Sequence, residues 1–212
     1  MDILREAANT YQEFLDHEYT FVFGDKKRNQ YIIRLVSKAE HFPHLIGLDK
    51  LTYIRSSIYS NSTKSEVHGK VLNQGITERD VEKSTKYVND DFHLSIKERV
   101  LHFQFIQGLI QEGMNIQEAS FKFIKGYAYS NIDADVLMRL KISLDGKVIF
   151  LNLFLKKDNR SDSEFYVPIS FFPRLDNTYE KGQPKLTLLH KIKHSPTGDI
   201  ELYRHPKYYY EE

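Results

Sequence analysis

The sequence predicts an α+β fold in which N-terminal helices pack on an antiparallel β-sheet meander. Three observations carry this. Apolar residues recur at helical spacing in the first half of the chain. They alternate in period two through most of the second. The strand-like runs succeed one another with no helix between them, which antiparallel neighbours allow and parallel ones do not.

The first helix is read over residues 2–17, where Ile3, Leu4, Ala7, Ala8, Tyr11, Phe14 and Leu15 fall on one face. A hairpin comes next: Tyr19, Phe21 and Phe23 alternate, Gly24–Asn29 makes a polar turn, and Tyr31–Val36 returns. In "HFPHLIGLDKL", Pro43 bars regular helix at His41, so His41 precedes a short helix and His44 sits in its first turns. Residues 60–70, "SNSTKSEVHGK", read as an open loop. Thr77 N-caps a helix from Glu78 to about Lys86, with Asp80 three residues on. Ser95 or Asp91 starts another, and Gly113 stops it. Residues of about 77–112 thus form a helical insertion.

The strand half begins at "ASFKFIKG". "DVLMRLKIS" and "KVIFLNLFLKK" flank Asp145-Gly146, a two-residue hairpin signal. "SEFYVPISFFP", "PKLTLLHKIKH" and a short "DIELYRH" complete the meander. With 212 residues and no linker or repeat, one domain is expected, helical over about 1–115 and sheet over about 116–205.

Composition removes several functional classes. The absence of Cys excludes disulfides, thiolate metal sites and a Cys nucleophile. Phosphate-binding glycine loops, HExxH, GxSxG and calcium-binding loops are all missing. No apolar run approaches the roughly 20 residues of a membrane span. The acidic, helical N-terminus is no signal peptide, so a cytoplasmic location with no membrane contact is expected. A net charge of +1 is too small for strong nonspecific nucleic-acid binding. A local basic strip nevertheless runs from Lys181 to Lys207.

The imidazoles fit poorly with a metal. His41 and His44 are split by Pro43, and His190 and His194 stand about 13 Å apart by strand rise. No metal and no cofactor are expected. His44 suits proton transfer near neutral pH, its competing reading being a hydrogen-bonded histidine at a helix start. On the strands, Ser170, His190, Lys191 and Lys193, with Tyr179 in a loop, are the equipment for cleaving RNA. In that reaction the substrate's 2′-OH is the nucleophile, and protein groups supply base, acid and phosphate-stabilising cation. Each of these residues also has a plain structural role open to it.

The segment "FPHLIGLDKL" resembles the F-x-H-L-x-G-[LI]-x-K-L block of a phage-associated nuclease-like family. That family is grouped with the barnase–EndoU–colicin–RelE superfamily of metal-independent ribonucleases. "NIDADVLMRL", "VIFLNLFLKKD", "YVPISFF" and "KLTLLHKIK" are similar to its later blocks, in order, across roughly residues 20–195. The resemblance implies a barnase/RelE-like arrangement of helices on a four-stranded antiparallel sheet. It also implies residence in prophages or mobile elements and an RNA substrate. The block's histidine falls on His44 and its lysine on Lys50. Ser170 and Lys191 would complete the catalytic set, with Tyr179, Lys193 and His190 binding substrate.

The expected function is therefore a metal-independent endoribonuclease, a toxin or defence effector with a cognate antitoxin or host partner. The competing function is a non-catalytic phage or mobile-element protein that blocks a host complex. The first requires His44 and the basic strand side chains within about 8 Å of one another in one cleft.

Overall fold

The computed structural model describes residues 2–15, 17–51, 63–111, 118–124, 130–158 and 164–208. Its strands are β1 (Glu18–Gly24), β2 (Gln30–Val36), β3 (Glu118–Lys122), β4 (Val136–Leu144), β5 (Lys147–Lys157), β6 (Phe165–Arg174), β7 (Lys185–Ser195) and β8 (Gly198–Arg204).

The layered helices-on-meander arrangement is not what forms. β1 pairs with β2 on one side and with β7 on the other, so seven strands close into a barrel in the order β1-β2-β6-β5-β4-β3-β7, and β8 adds to the outer side of β7. The barrel is mixed, because β2 and β6 run parallel through Arg34↔Phe165 and Leu35↔Tyr166. The hairpin read correctly within the helical half is thus part of the sheet. Every local hairpin was visible in the sequence. The pairings that close the ring join distant segments and leave no periodic trace.

The inner barrel face carries Tyr19, Phe21 and Phe23 of β1, Ile33 and Leu35 of β2, Met138 of β4, Leu151 and Leu153 of β5 and Phe171 of β6. The helices are α1 (Ile3–Leu15), α2 (Phe42–Leu45), α3 (Lys64–Leu72), α4 (Glu78–Val81), α5 (Ile96–His102) and α6 (Ile106–Ile110). All but α1 lie between the finish of β2 and the start of β3, and the apolar side chains of the helices join the same core. Phe103 meets Phe171 edge-on with ring centroids 5.2 Å apart. The Tyr11 hydroxyl donates to the Lys38 carbonyl at 2.8 Å and ties α1 to the chain leaving β2.

Local signals account for most element boundaries. Pro43 lies in the first turn of α2, after a 3-10 turn at Ala39–His41. The Ser95 hydroxyl accepts from Glu98 N–H at 3.3 Å and starts α5. α4 ends at Val81, shorter than expected. Residues 63–70 are not loop: α3 begins there, with Thr63 N–H donating to the Glu66 carboxylate at 3.0 Å. That Thr-x-x-Glu spacing is a capping box and was legible. Gly113 and residues 60–62 lie outside the described residues.

A second apolar layer covers the outer face of β3 to β6. Leu137, Phe154 and Phe172 form it, with Ile169 and Tyr179 packed against them. Tyr179 belongs to a 3-10 turn, Thr178–Glu180, which is held to the sheet by Arg139 Nε donating to Glu180 at 2.8 Å.

Candidate active site

α2 is one turn long, and the glycine turn beyond it shapes the site. Gly47 adopts φ +82°, a left-handed conformation that reverses the chain at little cost only for glycine. The reversal brings Asp49 back under His44, where Nδ1 of the imidazole and Oδ2 of the carboxylate stand 2.6 Å apart. An ionised carboxylate can only accept, so Nδ1 carries the proton and Nε2 is left as the basic nitrogen. The His44 side chain is 49% exposed and that of Asp49 only 18%. Burial works to raise the Asp49 pKa. The hydrogen bond from His44, together with the charges of His44, Lys64 and Lys50, outweighs it and holds the carboxyl below its ordinary value.

A second group packs against the same turn. A Cβ at position 47 would lie 3.4 Å from Nη1 and Cδ of Arg99 on α5, so that turn and arginine pack backbone to side chain. Arg99 is 7% exposed. Its guanidinium lies over the Phe172 ring, 5.4 Å from the centroid. Burial presses its pKa down to about 10, against the pull of Asp49 and Tyr179, and the group remains charged at neutral pH. No hydrogen bond or ion pair joins it to another described residue. Lys50, close enough to feel its charge, has its pKa lowered by lost hydration and then by Arg99.

A cleft of about 300 Å³ opens beside His44, lined by Glu40, His41, Lys64 and the Val167–Ile169 stretch of β6. β6 bulges there. Phe154 pairs with Ser170 but Leu155 with Pro168, so Ile169 is extra and the strand bends at the cleft. Ser170 is the register partner of Phe154, two residues before Phe172 on the same strand. Tyr179 stands against Phe172 with ring centroids 5.2 Å apart. The Arg174 guanidinium also lies on the Tyr179 ring, its Cζ 5.5 Å from the centroid.

The ribonuclease reading required His44 and the basic strand side chains in one cleft, and the side chains of β7 do not meet that requirement, so the reading has to stand on other groups. Lys191 is fully buried inside the barrel, where its ammonium donates to the Leu109 carbonyl at 3.1 Å and lies 3.6 Å from Glu118. It faces inward because it pairs with Phe21 of β1. His190 is buried on the other face, 2.7 Å from Glu201 of β8. Lys193 pairs with Tyr19 and Ile200. None of the three lines the His44 cleft.

Arg99, which packs against the Gly47 turn without lining the cleft, is the cation that the sequence reading did not single out, and a signal for it existed. It lies between Ile96 and Phe103 on the buried stripe of its helix, where an unpaired cation is out of place. Asp49, five residues after His44, gave no comparable signal. Among the described residues no group of three or more metal-ligating side chains is assembled, and no helix is long and apolar enough to cross a membrane.

No curated protein and no solved structure matches this chain. The sequence model of one family does, over residues 3–205, nearly the whole length. The chain with its His44–Asp49 pair belongs to the phage-Barnase-EndoU-ColicinE5/D-RelE like nuclease 4 family.

Proposed function

We propose that the protein is an endoribonuclease of a phage or mobile element and that it cleaves RNA by attack of the substrate's own 2′-OH. The observation that supports this best is the pairing of an oriented imidazole with a buried cation that makes no ion pair with a described residue. His44 is fixed by Asp49 at 2.6 Å, and Arg99 is 7% exposed beside the same turn. Such a guanidinium is a ready partner for a phosphate.

Nε2 of His44 takes the 2′-OH proton. The freed 2′-oxygen forms a bond to phosphorus as the bond from phosphorus to the 5′-oxygen breaks. Lys50, on the turn that follows Gly47, gives a proton to the leaving 5′-oxygen. Arg99 braces the non-bridging oxygens as their charge grows. The products are a 2′,3′-cyclic phosphate and a 5′-OH, and the proton on His44 returns to Lys50 through water. Asp49 steadies the imidazolium formed in between. Ser170 stands two residues before Phe172 on β6, Tyr179 packs on the Phe172 ring over which Arg99 lies, and the ring of Tyr179 suits stacking of an unpaired base.

Purified protein, incubated with total bacterial RNA in EDTA, tests the reading on a denaturing gel with end-group analysis. Discrete fragments ending in cyclic phosphate are expected from the wild type. His44→Ala should lower the rate by about 100-fold or more. Cleavage that persists in His44→Ala, or fragments bearing a 5′-phosphate, would discard it.

A further inference from the structure

A further groove on the barrel shares no lining residue with the His44 cleft. Two adjoining cavities of about 400 and 470 Å³ open there, sharing Tyr31, Lys122 and Leu186. Their floor is apolar, from Ile33, Val136 and Leu186. Their rim is basic. Lys26, Lys27, Lys122 and Lys185 line the larger one, all exposed, and none forms an ion pair with a described residue. Lys156 and Lys157 line the other and are partly neutralised, by Asp133 and, at 3.9 Å, by Glu164.

The acids within these cavities are committed elsewhere. Asp25 accepts from the backbone N–H groups of Lys27 and Asn29 at 2.8 and 2.9 Å and from the Tyr31 hydroxyl at 3.0 Å. Asp135 accepts from Lys157 N–H at 2.8 Å. The bond to Asp25 also fixes the Tyr31 ring, over which the Lys122 ammonium stands 5.6 Å from the centroid. Tyr166 forms a further aromatic wall.

An anchored ring, an apolar floor and four lysines that outnumber the one carboxylate, Asp25, lining the same cavity match a base beside its phosphates better than a bare anion. Aromatic platforms in basic grooves hold single strands in this way. We propose that this groove binds single-stranded nucleic acid, with a base on Tyr31 and phosphates on Lys122 and Lys185. The groove shares no lining residue with the His44 cleft, and the proposal does not depend on the ribonuclease reading.

Fluorescence anisotropy of a 5′-labelled oligothymidylate 12-mer tests it. This DNA lacks the 2′-OH and survives a ribonuclease. Each phosphate contact on a single strand contributes about 0.7 to the salt slope, or roughly fivefold in affinity at 0.1 M salt. The double variant Lys122→Ala/Lys185→Ala should therefore bind about 25-fold more weakly, with the slope flatter by about 1.4. Tyr31→Ala, with its fold checked by thermal melting, should lose at least about fivefold. Lys147→Ala, at the first residue of β5 and outside both cavities, should change nothing. Three results would overturn the proposal: no measurable binding; binding indifferent to Lys122 and Lys185 but lost in Lys50→Ala; or binding that inorganic polyphosphate matches and Tyr31→Ala leaves untouched, which is charge without base recognition.

Discussion

Replacing Lys191 with methionine separates a structural lysine from a catalytic one. The ammonium is 0% exposed, donates to the Leu109 carbonyl at 3.1 Å and faces Glu118, itself only 10% exposed, at 3.6 Å. Methionine keeps most of the stem's volume, so little cavity results. A charge-assisted hydrogen bond worth about 1.5–3 kcal/mol is lost. Glu118 also loses a cation inside a low-dielectric barrel. Removing one partner of such a pair costs about 3–5 kcal/mol in total. With the methionine's packing set against it, a net loss of about 3 kcal/mol is expected, or roughly 6–12 °C in Tm for a chain of this size. Urea titration with circular dichroism measures it. The double variant Lys191→Met/Glu118→Gln should recover at least about 1 kcal/mol of the loss, because no buried carboxylate then lacks the lysine. RNA cleavage per folded molecule should stay within about threefold of wild type, since Lys191 does not line the His44 cleft. A stability loss below about 1 kcal/mol together with a cleavage loss above about 100-fold would refute the reasoning and return Lys191 to the catalytic set.

Arg99→Lys keeps the charge but gives up the planar contact with Phe172, so cleavage should fall about tenfold or more in single-turnover assays despite nominal conservation. Gly47→Ala forces a side chain into a left-handed turn 3.4 Å from Arg99. It should cost about 1–2 kcal/mol in urea unfolding and lower cleavage through Arg99 and Asp49 together. The Asp25 carboxyl is held at about 2, first by its bond from the Asn29 side chain and then by backbone and Tyr31 donors. Its folded pKa lies below its unfolded one, so its contribution is present above pH about 4 and fades as pH falls toward 2. Asp25→Asn should accordingly flatten the acid limb of a stability–pH profile over that window while leaving the neutral region's slope unchanged.

Local order was readable in the sequence and long-range order was not. The Asp145-Gly146 turn adopts φ values of +50° and +74°, as the dipeptide implied. α1 and each strand lie close to where periodicity put them. What periodicity lacks is partner identity. Phe21 alternates in the same way whether its neighbour is Phe121 or Lys191, and only the pairing with β7 makes Lys191 an interior residue. The site divides similarly. His44, Gly47 and Lys50 stood within one decamer and could be read together. Arg99 comes from another helix and packs against that turn, whose left-handed φ of +82° calls for glycine at position 47. Ser170 and Tyr179 were legible as candidates, and their common neighbour Phe154 is set by strand register and by the turn that carries Tyr179.

Closing the ring through β1 and β7 has a consequence for the order in which the molecule can be made. Thr20 on β1 contacts His194 on β7 at 2.8 Å across 174 positions of sequence. During synthesis from the N-terminus, β1 has β2 beside it early, but its other edge stays bare until β7 has been translated. Such a distant pairing is slow to form. A bare strand edge meanwhile invites pairing with other chains. A ribosome that stops before β7 therefore releases an unclosed sheet whose apolar interior has been assigned to a barrel that never forms.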